Sequence, residues 1–418
     1  KDSGIDWIGN IPKHWEIKEI RKLFNRRSEK NNPVKTKERL SLSIDKGVTL
    51  YSEKTTNLDR FKEDFTQYQL AYPDDIVLNS MNMIVGAVGK SNYWGCVSPV
   101  YYVIYRKNIE NNIDFYSYIL NTPSIREIYH KLGQGIYAIE RGEGRVNTCR
   151  LKVDYYDFGK ICIPHPPKAE QSRIANFLDK KCAEIDELIA LQEQMIAQLT
   201  TYKQAVITET VTKGLDPNVK MKDSGVEWIG EIPEHWDVCK LKNYCSDRRE
   251  KATGNNKYIG LENVESYSGR YVETDSKYDT EQAIICRPND VIFGKLRPYL
   301  AKTLVIAELC CCSSEFVVFS QIPDANYLKH VLLSDYFVKI VDSSTFGTKM
   351  PRADVGFIKN MIIATPPLSE QQSIANYLDQ KCKEIDELIS VKKDKIEKLK
   401  AYKKSVIYEY VTGKKQVN

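Results

Sequence analysis

The sequence predicts an α+β fold in which two globular domains are joined by two long helices that pair as a coiled coil. The first observation is a long repeat, because residues 166–214 and 366–414 are identical at 26 of 49 positions when aligned without gaps. The second is a shorter repeat, in which residues 1–17 return in closely similar form at 222–238. Internal repeats define an architecture before any single element does. The chain is therefore a tandem repeat of a short box, a variable segment and a long helix.

Each copy of the long repeat predicts one coiled-coil helix. Apolar residues step by threes and fours, which is typical of a seam held for about five heptads. A Pro-Pro pair followed by Glu and Gln suits the helix start, since Pro lacks a donor and acids favour the positive end. The alternative is that each helix packs only on its own domain. We expect the two seams to pack together through Ile174, Leu178, Ile185, Leu188 and Leu199, and through Ile374, Leu378, Ile385, Leu388 and Leu399.

The segments between box and helix predict the two globular domains. Each contains short runs of β-branched and aromatic residues bounded by turn signals, then an amphipathic helix and a closing strand. In the first we expect strands at 40–44, 75–78, 83–88, 100–105 and 159–163 and a helix near 115–132. In the second we expect strands at 258–261, 290–293, 303–306, 315–319 and 360–364 and a helix near 326–341. The predicted order is a domain at 1–165, a long helix at 166–214, a domain at 215–365 and a long helix at 366–414.

The box at residues 2–15 and 223–236 carries two tryptophans around a proline. This composition suggests an extended clip laid on a neighbouring surface, where each indole buries a large area. His14 and His235 lie between the proline and the second tryptophan. No second ligand or nucleophile is close in sequence, so we expect packed or hydrogen-bonded histidines rather than catalytic ones.

Composition narrows the class of protein. The 418 residues suffice for two or three domains, and 42% hydrophobic and 28% charged residues are ordinary for a globular protein. No apolar run approaches the ~20 residues that a membrane span needs. Eleven cysteines without paired spacing favour the reducing cytosol over a disulfide framework. The net charge of +5 supports nucleic-acid binding only weakly.

Motifs of catalysis are missing from the sequence. It has no phosphate-binding loop, zinc-protease helix or nucleophile elbow. The glycines at 133 and 135 imitate a dinucleotide fingerprint, but they follow a helical stretch instead of a strand. The neighbours Cys310, Cys311 and Cys312 alternate faces in a strand and cannot converge on a metal. We therefore expect no catalytic residue, no metal site and no bond chemistry.

What the sequence offers is recognition. Arginine and asparagine can read base edges in the major groove, and lysine suits phosphates. Such side chains cluster in the loops that join the predicted strands. The candidate DNA-binding residues are Lys46, Asn79, Asn82, Lys90, Tyr137, Arg141, Arg145, Asn263, Arg270, Lys295, Arg297, Tyr299, Lys349 and Arg352.

Three motifs together resemble the specificity subunit of type I restriction-modification enzymes. The first is the box DSGxxWIGxIPxHW at 2–15 and 223–236, and the second is PPxxEQ…IAxxLD…KC…EIDELI, which begins at 166 and 366. The third is FGKLRPYL at 293–300 with SSEF at 313–316. The first segment departs from the third motif, since NSMN at 79–82 and SPV at 98–100 stand in the corresponding places.

The resemblance implies a function and a set of partners. Each domain would be a target recognition domain that reads one half of a split DNA sequence. The long helices would pair antiparallel, in a pseudo-twofold arrangement, and act as a ruler for the spacer between the halves. Two methyltransferase and two restriction subunits would dock on this chain in a prokaryotic cytoplasm. S-adenosylmethionine, ATP and Mg would belong to those partners, and this chain would bind no cofactor.

Two other functions stay open at this point. A self-sufficient nuclease or methyltransferase is disfavoured because the sequence contains no motif for either reaction. A coiled-coil adaptor without a nucleic-acid role is the second alternative. Salt-insensitive failure to bind any duplex would favour it, because phosphate contacts make DNA binding depend strongly on salt.

Overall fold

The chain forms two compact units in the computed structural model. Residues 1–44, 46–53, 64–136, 140–141, 145–146, 150–253, 256–274, 282–347 and 349–417 are described. The first unit comprises residues 1–191 and 395–418, and the second comprises 192–394. Two long helices, Lys168–Lys213 and Leu368–Val411, contribute to both. Each unit therefore contains one globular domain and one half of each long helix.

A four-stranded antiparallel sheet, in the strand order Phe24–Arg26, Tyr101–Arg106, Ile76–Asn79 and Val88–Lys90, organises the first unit. The helices Ile113–Leu120 and Pro123–Leu132 share a core with it. The strands of the first unit are β1 (Glu16–Glu19), β2 (Phe24–Arg26), β3 (Leu40–Ser43), β4 (Gly47–Leu50), β5 (Gln69–Ala71), β6 (Ile76–Asn79), β7 (Val88–Lys90), β8 (Gly95–Val97), β9 (Tyr101–Arg106), β10 (Gly133–Ile136), β11 (Glu140–Arg141), β12 (Arg145–Val146), β13 (Arg150–Val153) and β14 (Cys162–His165). Its helices are α1 (Ile20–Leu23), α2 (Ile113–Leu120), α3 (Pro123–Leu132), α4 (Tyr155–Lys160) and the first half of α5 (Lys168–Lys213).

The second unit has an equivalent antiparallel sheet in the order β18-β24-β21-β22. Its strands are β15 (Met221–Asp223), β16 (Glu231–Pro233), β17 (Asp237–Lys240), β18 (Ser246–Arg248), β19 (Tyr258–Ile259), β20 (Ile284–Cys286), β21 (Val291–Gly294), β22 (Thr303–Val305), β23 (Cys310–Cys312), β24 (Phe316–Ser320) and β25 (Ile362–Thr365). Its helices are α6 (Leu241–Tyr244), α7 (Ala325–Leu333), α8 (Asp335–Ser343), α9 (Val355–Asn360) and the first half of α10 (Leu368–Val411).

One buried ion pair illustrates how closely the two domains share a scaffold. In the first unit Arg27 donates two hydrogen bonds to Asp75, at 2.7 and 2.9 Å. In the second unit Arg248 donates to Asp290 in the same way, at 2.8 and 3.1 Å. Both aspartates are buried just before the central strands β6 and β21. The low sequence identity of the variable segments thus conceals a common framework.

The sequence prediction was wrong at 83–88, where a strand was expected. The backbone forms a short 3-10 helix at Met83–Val85, and β7 begins only at Val88. Gly86 lies between them with φ 98°, a left-handed conformation that a glycine adopts without strain. The composition of this stretch resembles that of a strand although the backbone turns: Met83, Ala87 and Val88 are buried, Ile84 is half-buried and Val85 is 48% exposed.

The two predicted amphipathic helices are each divided in two. The first breaks into α2 and α3 at Pro123, because the residue before a proline disfavours helical backbone angles. The second breaks into α7 and α8 at Ser334, whose hydroxyl donates to the carbonyl of Val331 at 2.6 Å.

The halves of the long helices pack antiparallel within the first unit. The rings of Phe177 and Tyr410 lie 4.4 Å apart, and Lys403 donates to Asp186 at 2.6 and 2.7 Å. The residue numbers rise along α5 as they fall along α10, so the two segments run in opposite directions.

The second unit shows the same pairing. Lys392 lies 3.2 Å from the sulfur of Met195, and Lys203 donates to Asp386 at 2.8 and 2.9 Å. The pair Lys203–Asp386 is the counterpart of Lys403–Asp186 in the first unit, with the roles of α5 and α10 exchanged. The predicted fold class, α+β with long helices pairing antiparallel, is confirmed.

The helix seam follows a stripe that differs in part from the predicted one. Leu188 and Leu388 were expected to pack between the helices, but their side chains are 44% and 52% exposed. The buried stripe passes instead through Gln192 and Lys203, which are 5% and 6% exposed. Because these two polar residues interrupt the apolar pattern, the sequence predicted a seam on the neighbouring face of the helix, which includes Leu188 and Leu388. The remaining positions are buried in the case of Ile174, Leu178, Ile185, Ile374, Leu378 and Ile385, and half-buried for Leu199 and Leu399.

The first box packs onto both long helices of its unit. Trp15 is buried, and its indole donates to Glu170 near the start of α5 at 2.8 Å. His14 lies 2.6 Å from the other oxygen of the same carboxylate, so this histidine is hydrogen-bonded as expected. Beyond the end of α10, Lys414 donates to the carbonyl of Ile8 at 2.6 Å. The box thus ties the start of one helix to the end of the other.

The second box repeats this arrangement. Trp236 donates to Glu370 at 2.9 Å, and His235 lies 2.7 Å from that carboxylate. At the end of α5, Gly214 has φ +79°, and a Cβ there would lie 3.1 Å from the indole of Trp236. Trp228 remains 41% exposed, so only the second tryptophan of this box is deeply buried.

Candidate nucleic-acid interface

Two loops of the second unit are joined through their backbones. The loop after β21 contains Lys295 and Arg297, and the loop before α9 contains Pro351 and Ala353. The amide of Arg297 donates to the carbonyl of Pro351 at 2.8 Å, and that of Ala353 donates to Lys295 at 3.0 Å. These bonds bring together five of the predicted residues, which we name the paired-loop surface: Lys295, Arg297, Tyr299, Lys349 and Arg352.

Arg297 occupies an unusual backbone conformation on this surface. Its φ of 51° and ψ of 61° lie in the left-handed region, which non-glycine residues seldom enter. The hydrogen bond to Pro351 and the short 3-10 helix Pro298–Leu300 that follows hold it there. Such strained positions concentrate at binding and active sites. The side chain of Arg297 is exposed.

A carboxylate orients the second arginine. Arg352 donates from Nη2 to Oε1 of Glu315 at 2.8 Å and from Nε to Oε2 at 3.1 Å. This two-pronged hydrogen bonding raises the pKa of Arg352 above its ordinary value. Glu315 belongs to the SSEF motif, and its carbonyl also accepts from the amide of Lys295 at 2.9 Å. The role of Glu315 in orienting Arg352 was not predicted, although the presence of both FGKLRPYL and SSEF was a sequence signal for it.

The remaining cations of the surface are not neutralised. Among the described residues, Lys295, Arg297 and Lys349 have no ion-pair partner. Arg297 and Lys349 are exposed, Lys295 is half-buried, and Tyr299 is 42% exposed beside them. The surface therefore carries an excess of positive charge with one aromatic side chain, a combination suited to a polyanion.

Two predicted residues of the second unit lie outside this surface. Asn263 is 1% exposed, and its amide is fully engaged with Gly260, Val272 and Thr274 inside the domain. It stabilises a turn and cannot reach a base. Arg270 donates to Glu265 at 2.9 Å and lies 3.5 Å from Asp386 of α10, so this arginine braces a loop against the long helix.

In the first unit the loop after β6 corresponds to the loop after β21. Val153 donates to the carbonyl of Ser80 at 3.1 Å, just as Ala353 donates to Lys295 in the second unit. Asn79 ends β6, and its side-chain oxygen accepts from the amide of Met81 at 3.1 Å. Asn82 is exposed at the start of the following 3-10 helix. The asparagines thus stand where the second unit has Gly294 and Arg297.

The other predicted residues of the first unit are dispersed. Lys46 is exposed in the turn between β3 and β4. Lys90 ends β7 and forms an ion pair with Asp114 of α2, which occupies its charge. Arg141 and Arg145 are cross-strand neighbours of β11 and β12, and only their backbones are described. Tyr137 lies outside the described residues.

Within the described ranges, no three His, Cys, Asp or Glu side chains are grouped so that they could hold a metal ion. The described helices also include none with the length and apolarity to cross a membrane.

Known proteins resemble this chain in sequence. Residues 233–411 match the family of the type I restriction modification DNA specificity domain. The chain is 29% identical over 287 residues to the type I restriction enzyme MjaVIII specificity subunit of Methanocaldococcus jannaschii, covering 63% of this chain and 64% of that relative. It is 24% identical to the putative type I restriction enzyme MjaX specificity subunit of the same organism, covering 98% of this chain and 96% of the relative. The match thus spans less than two thirds of the MjaVIII subunit and nearly all of the MjaX subunit.

Solved structures share the fold. One is a chain from a study of complex assembly and conformational transition in the type I R-M system, with a TM-score of 0.69, 13% identity, and coverage of 96% of this chain and 98% of that one. Another is the HsdS subunit from Thermoanaerobacter tengcongensis, with a TM-score of 0.52, 16% identity, and coverage of 97% and 98%.

The family model covers residues 233–411, somewhat less than half of the chain. The resemblance of the chain to the specificity subunits of type I restriction-modification enzymes is confirmed.

Proposed function

We propose that this chain is a non-catalytic subunit that reads a split DNA sequence, one domain for each half, and scaffolds methyltransferase and restriction subunits. The observation that carries the proposal is the paired-loop surface, where unneutralised cations and an aromatic ring meet on one face of a domain. The equivalent loop of the first unit presents asparagines instead. Two similar frameworks with different loop chemistry suit the reading of two different half-sites.

The side chains of the paired-loop surface suit direct readout. Arginine pairs two-pronged with guanine in the major groove, and each good pair contributes ~1–3 kcal/mol of discrimination. Arg297 is the candidate for that role, since its guanidinium is exposed and unpaired among the described residues. Lys295 and Lys349 suit phosphates, which position a protein without carrying sequence information. In the first unit Asn82 is the corresponding candidate, because asparagine pairs with adenine.

The long helices carry a second apolar surface that supports a scaffolding role. Beside the buried seam, each unit exposes large apolar side chains on its helix halves, and contiguous patches of such side chains are typical of interaction sites. We propose that methyltransferase subunits dock there. The exposed residues are Leu188, Leu191 and Tyr402 in the first unit, and Leu388, Val391 and Tyr202 in the second.

We further propose that the helices set the spacer between the half-sites. A helix of 46 residues is roughly 69 Å long at ~1.5 Å per residue, which exceeds one turn of the DNA duplex, ~34–36 Å. Methyl transfer and cleavage would be performed by the partner subunits, which would bind S-adenosylmethionine, ATP and Mg. The complex would act in the prokaryotic cytoplasm.

DNA binding by the chain, together with its methyltransferase partner, tests this function. The fluorescence anisotropy of a labelled genomic duplex is measured at several salt concentrations. If Lys295 and Lys349 each neutralise one phosphate, the slope of log affinity against log salt is about −2 for that surface alone. The same affinity at all salt concentrations, or no binding, would favour the adaptor alternative. Methyl transfer by the chain alone would revive the self-sufficient methyltransferase.

A further inference from the structure

Phe346 is the most exposed large hydrophobic side chain among the described residues, at 78%. Met350, four residues further along the same loop, is 48% exposed. Exposing a phenylalanine to water is unfavourable by ~1.5–3 kcal/mol relative to burial. Exposure of this ring does not stabilise the free chain, which suggests that the ring is covered when a partner binds.

The loop presents this ring in a defined way. Phe346 and Arg352 exchange two backbone hydrogen bonds, both of 3.2 Å, and Arg352 also bridges to Leu296 in the neighbouring loop. At the start of the loop, the hydroxyl of Thr345 donates to the carbonyl of Asp342 at 2.8 Å. The phenylalanine is therefore anchored to the paired-loop surface at the point where its cations lie.

The charge around the ring identifies the kind of partner. Lys295, Arg297, Lys349 and Arg352 lie on the two joined loops, and of these four cations only Arg352 is paired with Glu315. An apolar side chain within a cationic surface fits a polyanion that also offers flat apolar faces. Double-stranded DNA is such a partner, because its phosphates surround stacked bases.

We propose that Phe346 is a wedge that inserts between base pairs of the half-site read by the second unit. Apolar side chains placed between base steps unstack them and kink the duplex, and base–aromatic stacking is worth ~1–3 kcal/mol per base. The flanking cations hold the phosphates on either side of the opened step. The wedge reads how easily the step deforms, so it contributes specificity without donating a hydrogen bond. This inference rests on the proposed function of the chain.

The test uses the complex of the chain with its methyltransferase subunit and a duplex that carries the methylated motif. The adenine analogue 2-aminopurine is placed in turn at each position of the second half-site, because its fluorescence rises when it is unstacked. With the unaltered chain we expect increased fluorescence at one step. Phe346→Ala is expected to abolish the increase and to weaken binding about 5- to 150-fold, as loss of base stacking does. Phe357→Ala, which removes an exposed ring from α9, is the matched control and should change neither quantity.

Each other outcome has a clear meaning. Unchanged affinity and fluorescence in Phe346→Ala would overturn the wedge while leaving the proposed function intact. Phe346→Leu keeps an apolar side chain in the loop, so it should retain part of the fluorescence increase. If Phe346→Leu weakens binding but the saturated complex still shows the full 2-aminopurine increase, insertion is refuted. Failure of the unaltered complex to bind the duplex would refute the proposed function itself.

Discussion

The ammonium group of Lys203 donates to both carboxylate oxygens of Asp386, at 2.8 and 2.9 Å, within the seam of the long helices. The two side chains are only 7% and 18% exposed. The equivalent pair in the first unit, Lys403 and Asp186, is more open, since Asp186 is 58% exposed. A polar pair inside an apolar seam favours the one alignment in which both charges are satisfied. We infer that it specifies the antiparallel register.

Replacing Lys203 with Ala is therefore expected to destabilise the second unit by about 2 kcal/mol. A fully buried pair loses roughly 3–5 kcal/mol when one partner is removed, and Asp386 keeps some contact with water. Urea unfolding followed by circular dichroism measures the change. Lys403→Ala is the matched control, and because its partner is exposed we expect a loss below about 1 kcal/mol. Equal losses would contradict the role of burial.

The packing of the first box on α10 can be tested at Gly413. This residue has φ +72°, and a Cβ there would lie 2.5 Å from Cδ of Pro12. Gly4 has a similar φ of +71° with nothing within 4 Å of the corresponding Cβ position. Gly4→Ala should thus lower stability by the conformational cost alone, roughly 1–2 kcal/mol, whereas Gly413→Ala should lower it further. Thermal unfolding distinguishes them, and an equal shift in Tm would show that the box does not press on this helix end.

Arg297→Ala is expected to relax or abolish recognition of the second half-site alone. Loss of one bidentate contact with guanine predicts about 5- to 150-fold weaker discrimination at one base pair. Binding to duplexes altered in one half-site at a time gives the measurement. Arg270→Ala serves as the control, since that side chain braces a loop against Asp386 and should leave DNA affinity unchanged. Comparable losses at both half-sites in Arg297→Ala would indicate a folding defect instead.

His330 gives the second unit a dependence on pH. It is buried, its Nε2 lies 2.8 Å from Asp379, and burial lowers its pKa below the ordinary value of 6.5. Although burial opposes the shift, hydrogen bonds from His330 and Lys329 lower the pKa of Asp379 to about 2. In the first unit Tyr118 donates to the equivalent Asp179 at 2.7 Å, without a histidine.

The direction of this pH dependence follows from the number of protons that the folded and unfolded states bind. Below about pH 6.5 this histidine is protonated in the unfolded chain, whereas burial keeps it neutral in the folded unit. The unfolded state therefore binds more protons, and the stability contributed by neutral His330 decreases as the pH falls. We expect the urea midpoint of the second unit to decrease between about pH 7 and pH 5, and His330→Tyr to reduce that decrease. A midpoint that changes equally with pH in both proteins would exclude His330 as the cause.

Periodicity and repetition predicted the large features, and side-chain chemistry decided the details. The long helices, the repeated order and the shared scaffold follow from the apolar pattern and the two repeats. The seam at Leu188 was misplaced because Gln192 and Lys203 are buried only by virtue of tertiary partners. No local pattern announces a lysine that will meet an aspartate 183 residues away.

The candidate interface was predictable where a motif supported it. Arg297 and Arg352 come together because two distant loops exchange backbone hydrogen bonds, which the clustering of cations only suggested. Asn263 was chosen for its residue type, but its amide is consumed inside the domain by a turn. Phe346 was overlooked, because an exposed phenylalanine cannot be distinguished from a buried one in sequence alone.

We propose that each domain reads one half of a split sequence, and a genome-wide map of methylated bases would show both halves. The chain is expressed with its methyltransferase partner in a host without other DNA methylation, and modified bases are sequenced across the genome. The account predicts a motif of two parts separated by a fixed gap, with methylated adenine in each part. A continuous motif, or no methylation despite demonstrated binding of the partner, would contradict it.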